Sequence, residues 1–158
     1  MPTIRTLFSR IAKAVGISST ADDLNLVSRL AWGRNAPAHA RDLFHASVRG
    51  DESAVEALLV AFPKELGSVL NDALALAARH GNTGVAKKLI HAGADVHELQ
   101  DEPLRWAAEA GQDGTVEYLL SAGANPHVRN DAPLRSALAN GHTKTARVLQ
   151  TWPQPSPA

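Results

Sequence analysis

A 30-residue period constrains the fold of this chain more than any other feature of the sequence. Gly81, Gly111 and Gly141 are spaced 30 residues apart. Leucines and alanines keep the same step on both sides of these glycines: Leu74, Leu104 and Leu134; Ala77, Ala107 and Ala137; Leu89, Leu119 and Leu149. A period of roughly 20–50 residues is typical of solenoids, in which each unit buries its apolar face only against its neighbours. The sequence therefore predicts an extended surface rather than an enclosed pocket.

Within one period the pattern predicts a pair of α-helices. Residues 102–110 are expected to form the first helix, which Gly111 ends because glycine takes a left-handed conformation without steric cost. Residues 115–122 are expected to form the returning helix, since Val116, Leu119 and Leu120 recur at helical spacing. The small alanines of the first helix allow the second helix to approach closely. The fold class predicted is an all-α helical solenoid.

Aligned on its glycines, the chain divides into a helical N-terminal cap, four repeats and a short tail. In the first repeat the chain runs into Phe62-Pro63, so the connector that follows is expected to depart from the pattern. The fourth places Gln150 where earlier repeats carry an aliphatic residue, as a last repeat requires. The predicted boundaries are 1–35 for the cap, 36–70, 71–100, 101–130 and 131–152 for the repeats, and 153–158 for a disordered, Pro-rich tail.

Composition and motifs exclude several functions. The 158 residues carry 16 Lys plus Arg against 16 Asp plus Glu, so the overall charge does not point to nucleic acid. Without cysteine there is no disulfide or thiolate metal site, and no apolar run approaches the roughly 20 residues that span a bilayer. The seven histidines form no compact ligand set, and no phosphate-binding loop or nucleophile motif is present. We therefore expect no catalytic residue, no metal and no cofactor.

The first 20 residues allow three interpretations. Apolar residues form one helical stripe, bases are present and acids are absent. This pattern fits a helix docked on the first repeat, a membrane-surface anchor or an organelle transit peptide. The stripe consists of Ile4, Leu7, Phe8, Ile11 and Val15, and the bases are Arg5, Arg10 and Lys13.

The segments 101–111 and 116–125 resemble ankyrin repeats. They read Asp-Glu-Pro-Leu-Arg-Trp-Ala-Ala-Glu-Ala-Gly and Val-Glu-Tyr-Leu-Leu-Ser-Ala-Gly-Ala-Asn. The match extends well over 72–149 and weakly over 41–62. The resemblance implies an ankyrin-type solenoid, but the 30-residue repeat is three residues short of the usual length. The β-hairpin fingers of that family are therefore expected to be trimmed or absent. The family's turn histidine is replaced by Arg105 and Arg135, whose guanidinium groups are candidates to hold the turn instead.

The resemblance also implies a non-catalytic module that binds another protein through the concave face of its first helices and loops. Transferred position by position, it predicts these partner-binding residues: His45, Arg49, Arg79, His80, Arg105, Trp106, Glu109, Arg135 and Asn140 on the helices, and His97, Glu98, Glu102, His127 and Arg129 on the loops. Trp106 has a second interpretation, as framework packing between adjacent first helices.

Three roles follow as hypotheses. The first is recognition of a partner protein in the cytoplasm. The second is inhibition of a host or competitor protein, by a phage anti-defence factor or a bacterial effector, because short repeats of this kind look like those of bacteria, phages and large viruses. The third is a membrane-surface adaptor anchored by the N-terminal helix. Partners are expected to be proteins rather than nucleic acid or membrane, and the chain to be a monomer or a homodimer.

Overall fold

The computed structural model describes residues 39–153, so the predicted cap at 1–35 and the tail beyond residue 153 lie outside the described residues. Within that range the chain forms α-helices without a β-strand, which confirms the all-α class. The helices are α1 (Ala40–Arg49), α2 (Glu52–Ala61), α3 (Pro63–Leu66), α4 (Leu70–Arg79), α5 (Thr83–His91), α6 (Glu98–Glu109), α7 (Asp113–Ser121), α8 (Val128–Ala139) and α9 (Thr143–Thr151), with a 3-10 turn at Gly67–Val69 between α3 and α4.

The helices form two layers. The first helices of the four units (α1, α4, α6 and α8) pack side by side, and the second helices (α2, α5, α7 and α9) form the layer behind them. Among the described residues, the main contacts join each unit to its neighbours, as expected for a solenoid. The core between the layers consists of the periodic apolar residues, among which these are completely buried: Leu43, Val55, Leu74, Ala77, Val85, Leu89, Leu104, Ala107, Val116, Leu119 and Ala137.

The first unit departs from the period in its connector, where the sequence predicts a departure. Pro63 begins the short helix α3, and the 3-10 turn leads from it into α4. Leu66 and Val69 are completely buried, so the extra turn adds to the core. The ring of Phe62 stacks on that of His39, with 3.7 Å between their centroids.

Each junction between units is built on a glycine with positive φ and a polar side chain from the next unit. Gly111 has φ +69° and ends α6, as predicted. His142, from the following unit, lies over it and donates from Nε2 to the carbonyl of Glu109 at 3.1 Å. The same arrangement is found at each of the two preceding junctions. Asn82 Nδ2 donates to the carbonyls of Ser47 (2.7 Å) and Val48 (2.8 Å), and Gln112 Nε2 donates to the carbonyl of Arg79 (3.3 Å). One side chain thus caps a helix of the preceding unit and fixes the spacing of two units.

The second helices are joined by hydroxyl groups. Thr83 and Thr115 share a hydrogen bond of 2.7 Å between their hydroxyl oxygens. One unit further on, the Thr145 hydroxyl donates to Asp113 Oδ1 at 2.5 Å, and Lys144 lies 3.0 Å from the other carboxylate oxygen. These contacts, the threonine bond first, hold the pKa of Asp113 below its ordinary value.

Short left-handed turns stand where the family's β-hairpin fingers would be. Leu99, Gln100 and Asp101 have φ of +51°, +61° and +54°, and 129–131 repeat this conformation. Each such residue costs about 1–2 kcal/mol when it is not glycine. Hydrogen bonds compensate, because the buried Asp101 carboxylate accepts from the backbone N–H of Asn125 at 3.0 Å. The regular part of α6 therefore begins after Asp101, close to the predicted start at residue 102.

The last unit is only partly adapted to its position. Gln150 is exposed where Leu120 of the preceding unit is 4% exposed, in agreement with the sequence-based expectation. Leu138, however, is 53% exposed at the position where Ala78 and Ala108 are completely buried. The end of α8 thus presents an apolar side chain that the sequence pattern did not anticipate.

Substitution of the junction glycines tests the role of the capping side chain. A Cβ at Gly111 would lie 2.5 Å from Nδ1 of His142, whereas no atom of residues 39–153 lies within 4 Å of a Cβ at Gly141. Both glycines have positive φ, so Gly141→Ala should lower the free energy of unfolding by about 1–2 kcal/mol. Gly111→Ala should cost about 1 kcal/mol more because the His142 hydrogen bond is also lost. Urea denaturation measures both, and equal losses would contradict the capping role.

The left-handed turn predicts a stabilising glycine. Gln100→Gly should raise the free energy of unfolding by about 1 kcal/mol, since glycine adopts positive φ without strain. The exposed bond that Gln100 accepts from Arg129 is worth less than this gain. Ala57→Gly, at an exposed position within α2, is the control and should lower stability by about 1 kcal/mol. Thermal melting of both variants checks the pair, and a loss at both positions would show that residue 100 is not strained.

Candidate partner-binding surface

Four of the predicted partner-binding residues lie together in one shallow depression. Arg79, Trp106, Glu109 and Asn140 line a hollow of about 220 Å³ on the layer of first helices. Arg79 is the last residue of α4, Glu109 is the last residue of α6, and Asn140 follows α8. Because the junctions set the units in register, the same turn of three consecutive helices contributes to this hollow.

Trp106 and Arg79 are in direct contact. The guanidinium carbon of Arg79 lies 5.6 Å from the centroid of the Trp106 ring, within the distance of a cation–π interaction. Trp106 is half-buried, so it packs between neighbouring first helices and also exposes part of its ring. Stacking restrains the arginine side chain while its N–H donors stay available, which favours recognition of an acceptor group on a partner.

His80 lies next to Arg79 and is a half-buried imidazole. Burial, and secondly the positive charge of Arg79, lower the pKa of His80 below its ordinary value of 6.5. His80 is therefore uncharged at neutral pH, and Arg79 supplies the positive charge at this position.

Arg135 contacts the left-handed turn at the start of its own helix, whereas Arg105 contacts the residue that follows the corresponding turn. Arg105 lies 3.2 Å from Glu102, and these two side chains are only 19% and 16% exposed. Arg135 donates to the carbonyls of Asn130 at 2.6 Å and Arg129 at 3.3 Å, in the left-handed turn. Arg135 thus holds the turn and is exposed, whereas Arg105 is held by the ion pair with Glu102.

The predicted loop residues form contacts within and between the loops. His97 donates from Nδ1 to Asp101 at 2.9 Å, and His127 does so to Asp131 at 2.5 Å. Imidazoles from the loops thereby enter the turn in place of the family's turn histidine. Glu98 accepts from Asn71 at 3.2 Å, and Arg129 donates to Gln100 at 2.5 Å. The predicted residues His97, Glu98, His127 and Arg129 thus all form hydrogen bonds within the loops, and we call these four residues the loop edge.

The two predicted residues of the first unit lie on α1, outside the set that lines the depression. Arg49 is exposed and His45 is half-buried.

The sequence reasoning missed a recurring acceptor in the loops. The side chain of Asn71 accepts from the backbone N–H of Asp95 at 2.8 Å, as Asp101 does from Asn125. It also missed the junction donors Asn82, Gln112 and His142. The available signal was a polar residue repeated at a fixed distance from each junction glycine.

A second hollow lies on the layer of second helices. It has a volume of about 590 Å³ between α2 and α5, and Glu56 and Lys88 form an ion pair of 2.7 Å within it. Val60 at its edge is 77% exposed. On the same layer, Lys87 lies 5.4 Å from the ring centroid of Tyr118, in a second cation–π pair.

Within residues 39–153, no group of three His, Cys, Asp or Glu side chains is placed to hold a metal ion. No helix in this range combines the length and the apolar character that crossing a membrane requires.

The family model for ankyrin repeats matches the chain in three copies, over residues 43–130 and 74–152. The chain belongs to the ankyrin repeat family. The matched residues include the second, third and fourth units and most of the first, and the helix pairs and junction glycines are those that the resemblance implies. No curated protein matches the sequence at a significant level. Ankyrin repeats are generally protein–protein interaction modules.

The burial of His80 and its position beside Arg79 predict how the stability of the protein depends on pH. The folded-state pKa of His80 is lowered, so neutral His80 contributes stability above pH 6.5 that is lost as the pH falls toward the lower native value. Arg79→Met should raise the pKa of His80 only partway, because burial is the larger cause. NMR titration of the imidazole protons measures this shift, with Lys87→Met as a control that leaves it unchanged. A full return to 6.5 would make the arginine the main cause instead.

Proposed function

We propose that this ankyrin repeat protein recognises a partner protein through the depression formed by Arg79, Trp106, Glu109 and Asn140. The contact of Arg79 with Trp106 carries the proposal. Arginine and tryptophan are the residue types most enriched at interface hot spots, and here they share one hollow. The remaining predicted residues, from His45 and Arg49 to the loop edge, are proposed as the periphery of the same surface.

The interactions at the rim favour a rigid surface. Arg79 is stacked on Trp106, and Asn140 donates from Nδ2 to the carbonyl of Ser136 at 2.8 Å. Side chains that are already restrained lose less conformational entropy on binding. We therefore expect the bound and free forms of this surface to be closely similar.

The proposed mechanism is occupation of the partner's surface, since ankyrin repeats typically bind without catalysis. Binding of this kind either blocks the partner or holds it in an assembly. An inhibitory role against a host or competitor protein, in the cytoplasm, is the finer form of the proposal. Whether the chain acts as a monomer or a homodimer belongs to the same proposal.

Affinity capture with paired baits tests the proposed surface. One bait is the intact chain and the second carries Arg79→Glu and Trp106→Ala. A partner from the native cell lysate, identified by mass spectrometry, should bind the second bait about tenfold more weakly or not at all, because hot-spot side chains are removed.

The structure offers a matched control for this experiment. Lys87→Glu with Tyr118→Ala makes the same change of charge and removes an aromatic ring from the second cation–π pair, on the layer of second helices. Circular dichroism establishes that all baits are equally helical. A partner that binds the bait with Arg79→Glu and Trp106→Ala as tightly as the intact chain, but does not bind the control bait, would contradict the proposal. That result would indicate an interface on the second helices.

A further inference from the structure

The end of α8 has the form of a junction that no described residue occupies. Gly141 has φ +77°, like Gly81 and Gly111, and therefore has the backbone conformation of the inner junctions. The carbonyl of Ala139 corresponds to those of Arg79 and Glu109, which accept from Gln112 and His142. No side chain of the described residues donates to Ala139 or lies within 4 Å of a Cβ at Gly141.

The inner junctions show what such a site accepts. Their three occupants are Asn82, Gln112 and His142, each of which donates an N–H to the last carbonyls of a helix while lying over a glycine. Amide and imidazole side chains have both the N–H donor and the flat shape that this position requires. The described part of the chain thus contains three filled copies of the geometry at residues 139–141.

An apolar contact lies beside this donor site. Leu138 is 53% exposed, whereas Ala78 and Ala108 at the same position are completely buried. At the inner junctions this position holds an alanine that is completely buried, so the leucine is larger than the side chain that the regular packing covers there. The position instead suits an aliphatic side chain that approaches the end of the stack at a different angle.

The charge of the last unit selects the partner's chemistry. Residues 129–147 contain four bases, Arg129, Arg135, Lys144 and Arg147, against the single acid Asp131, and Lys144 is paired with Asp113 of the preceding unit. A cationic donor such as lysine would be repelled by this excess of positive charge, whereas an uncharged amide or imidazole would not. Acidic residues elsewhere in the partner segment would be attracted.

A second copy of this chain, docked head to tail, does not fit the same site. The first described unit carries Asp51 where the later units carry Asn82, Gln112 and His142. Its carboxylate has no N–H to donate, and it accepts from the backbone N–H of Ala54 at 2.9 Å. Asp51 would therefore face the Ala139 carbonyl oxygen with another oxygen, which is repulsive.

From these observations we infer that the end of α8, comprising Leu138, the Ala139 carbonyl and Gly141, binds a segment of a partner protein. This segment carries an uncharged amide or imidazole donor beside an aliphatic residue, in a neutral or acidic context. The inference rests on the proposed function, because Asn140 belongs both to this end and to the depression at Trp106. It adds a second contact region, with its own chemistry, to the same partner.

Selection of a random peptide library displayed on phage tests the chemistry directly. The library is selected on the intact chain, on Leu138→Glu, and on the variant that carries Arg79→Glu and Trp106→Ala. Val60→Glu is the matched control, since Val60 is also an exposed aliphatic residue, at 77%, but on the second helices. Circular dichroism confirms that each variant keeps its helicity.

The expected result is enrichment of peptides with Asn, Gln or His next to Leu, Ile or Val. These peptides should bind Leu138→Glu about tenfold more weakly than the intact chain and bind Val60→Glu equally well. Replacing the peptide's Gln by Glu, or its Asn by Asp, should cause a similar loss. In NMR spectra the peptide should shift the backbone N–H signals of Asn140 and Gly141, and not that of Gly93.

Several results would overturn the inference. Peptides that bind Leu138→Glu with the same affinity as the intact chain would show that the end of α8 is not the binding site. Peptides whose binding is unchanged when their Gln is replaced by Glu would show the same. The absence of enrichment above the bare support would do the same. Peptides that lose binding only to the variant with Arg79→Glu and Trp106→Ala would support the proposed function and contradict the site at the end of α8. Peptides that lose binding only to Leu138→Glu would support the site at the end of α8 and contradict the proposed function.

Discussion

The structure depends on the hydrogen bond that each unit donates to the end of the preceding first helix. That bond requires a glycine in the left-handed conformation, because a Cβ at Gly81 or Gly111 would collide with the donor side chain. It also places the last residues of successive helices, Arg79 and Glu109, side by side at one level of the stack. The candidate binding surface is therefore a direct product of the junction that holds the repeats together.

The periodic part of this architecture was predictable from the sequence. The glycines, the buried leucines and the alanines each recur because every unit faces the same neighbours, so the physical demand repeats with the chain. The resemblance to ankyrin repeats, transferred position by position, assigned Arg79, Trp106, Glu109 and Asn140 to one surface. The hollow that they form could not be predicted from the sequence, because it depends on how far apart the helices lie.

Other features could not be predicted because they oppose local preferences. Leu99 and Gln100 do not favour positive φ, and the contacts that Asp101 makes with His97 and with the backbone of Asn125 stabilise the turn. The burial of Arg105 depends on its ion pair with Glu102, which a position-by-position transfer from the family does not include. In both cases tertiary contacts outweigh the information held in a short stretch of sequence.

The junctions differ in strength along the chain, and this difference has a consequence for local unfolding. Asn82 donates two short bonds, whereas Gln112 and His142 donate one longer bond each. In a stack coupled only between neighbours, the weakly held end opens first and independently of the rest. Backbone amides of α8 and α9 are thus expected to exchange with solvent before those of α4 and α5. A partner bound across Asn140 would slow this opening, because binding to the folded form stabilises it.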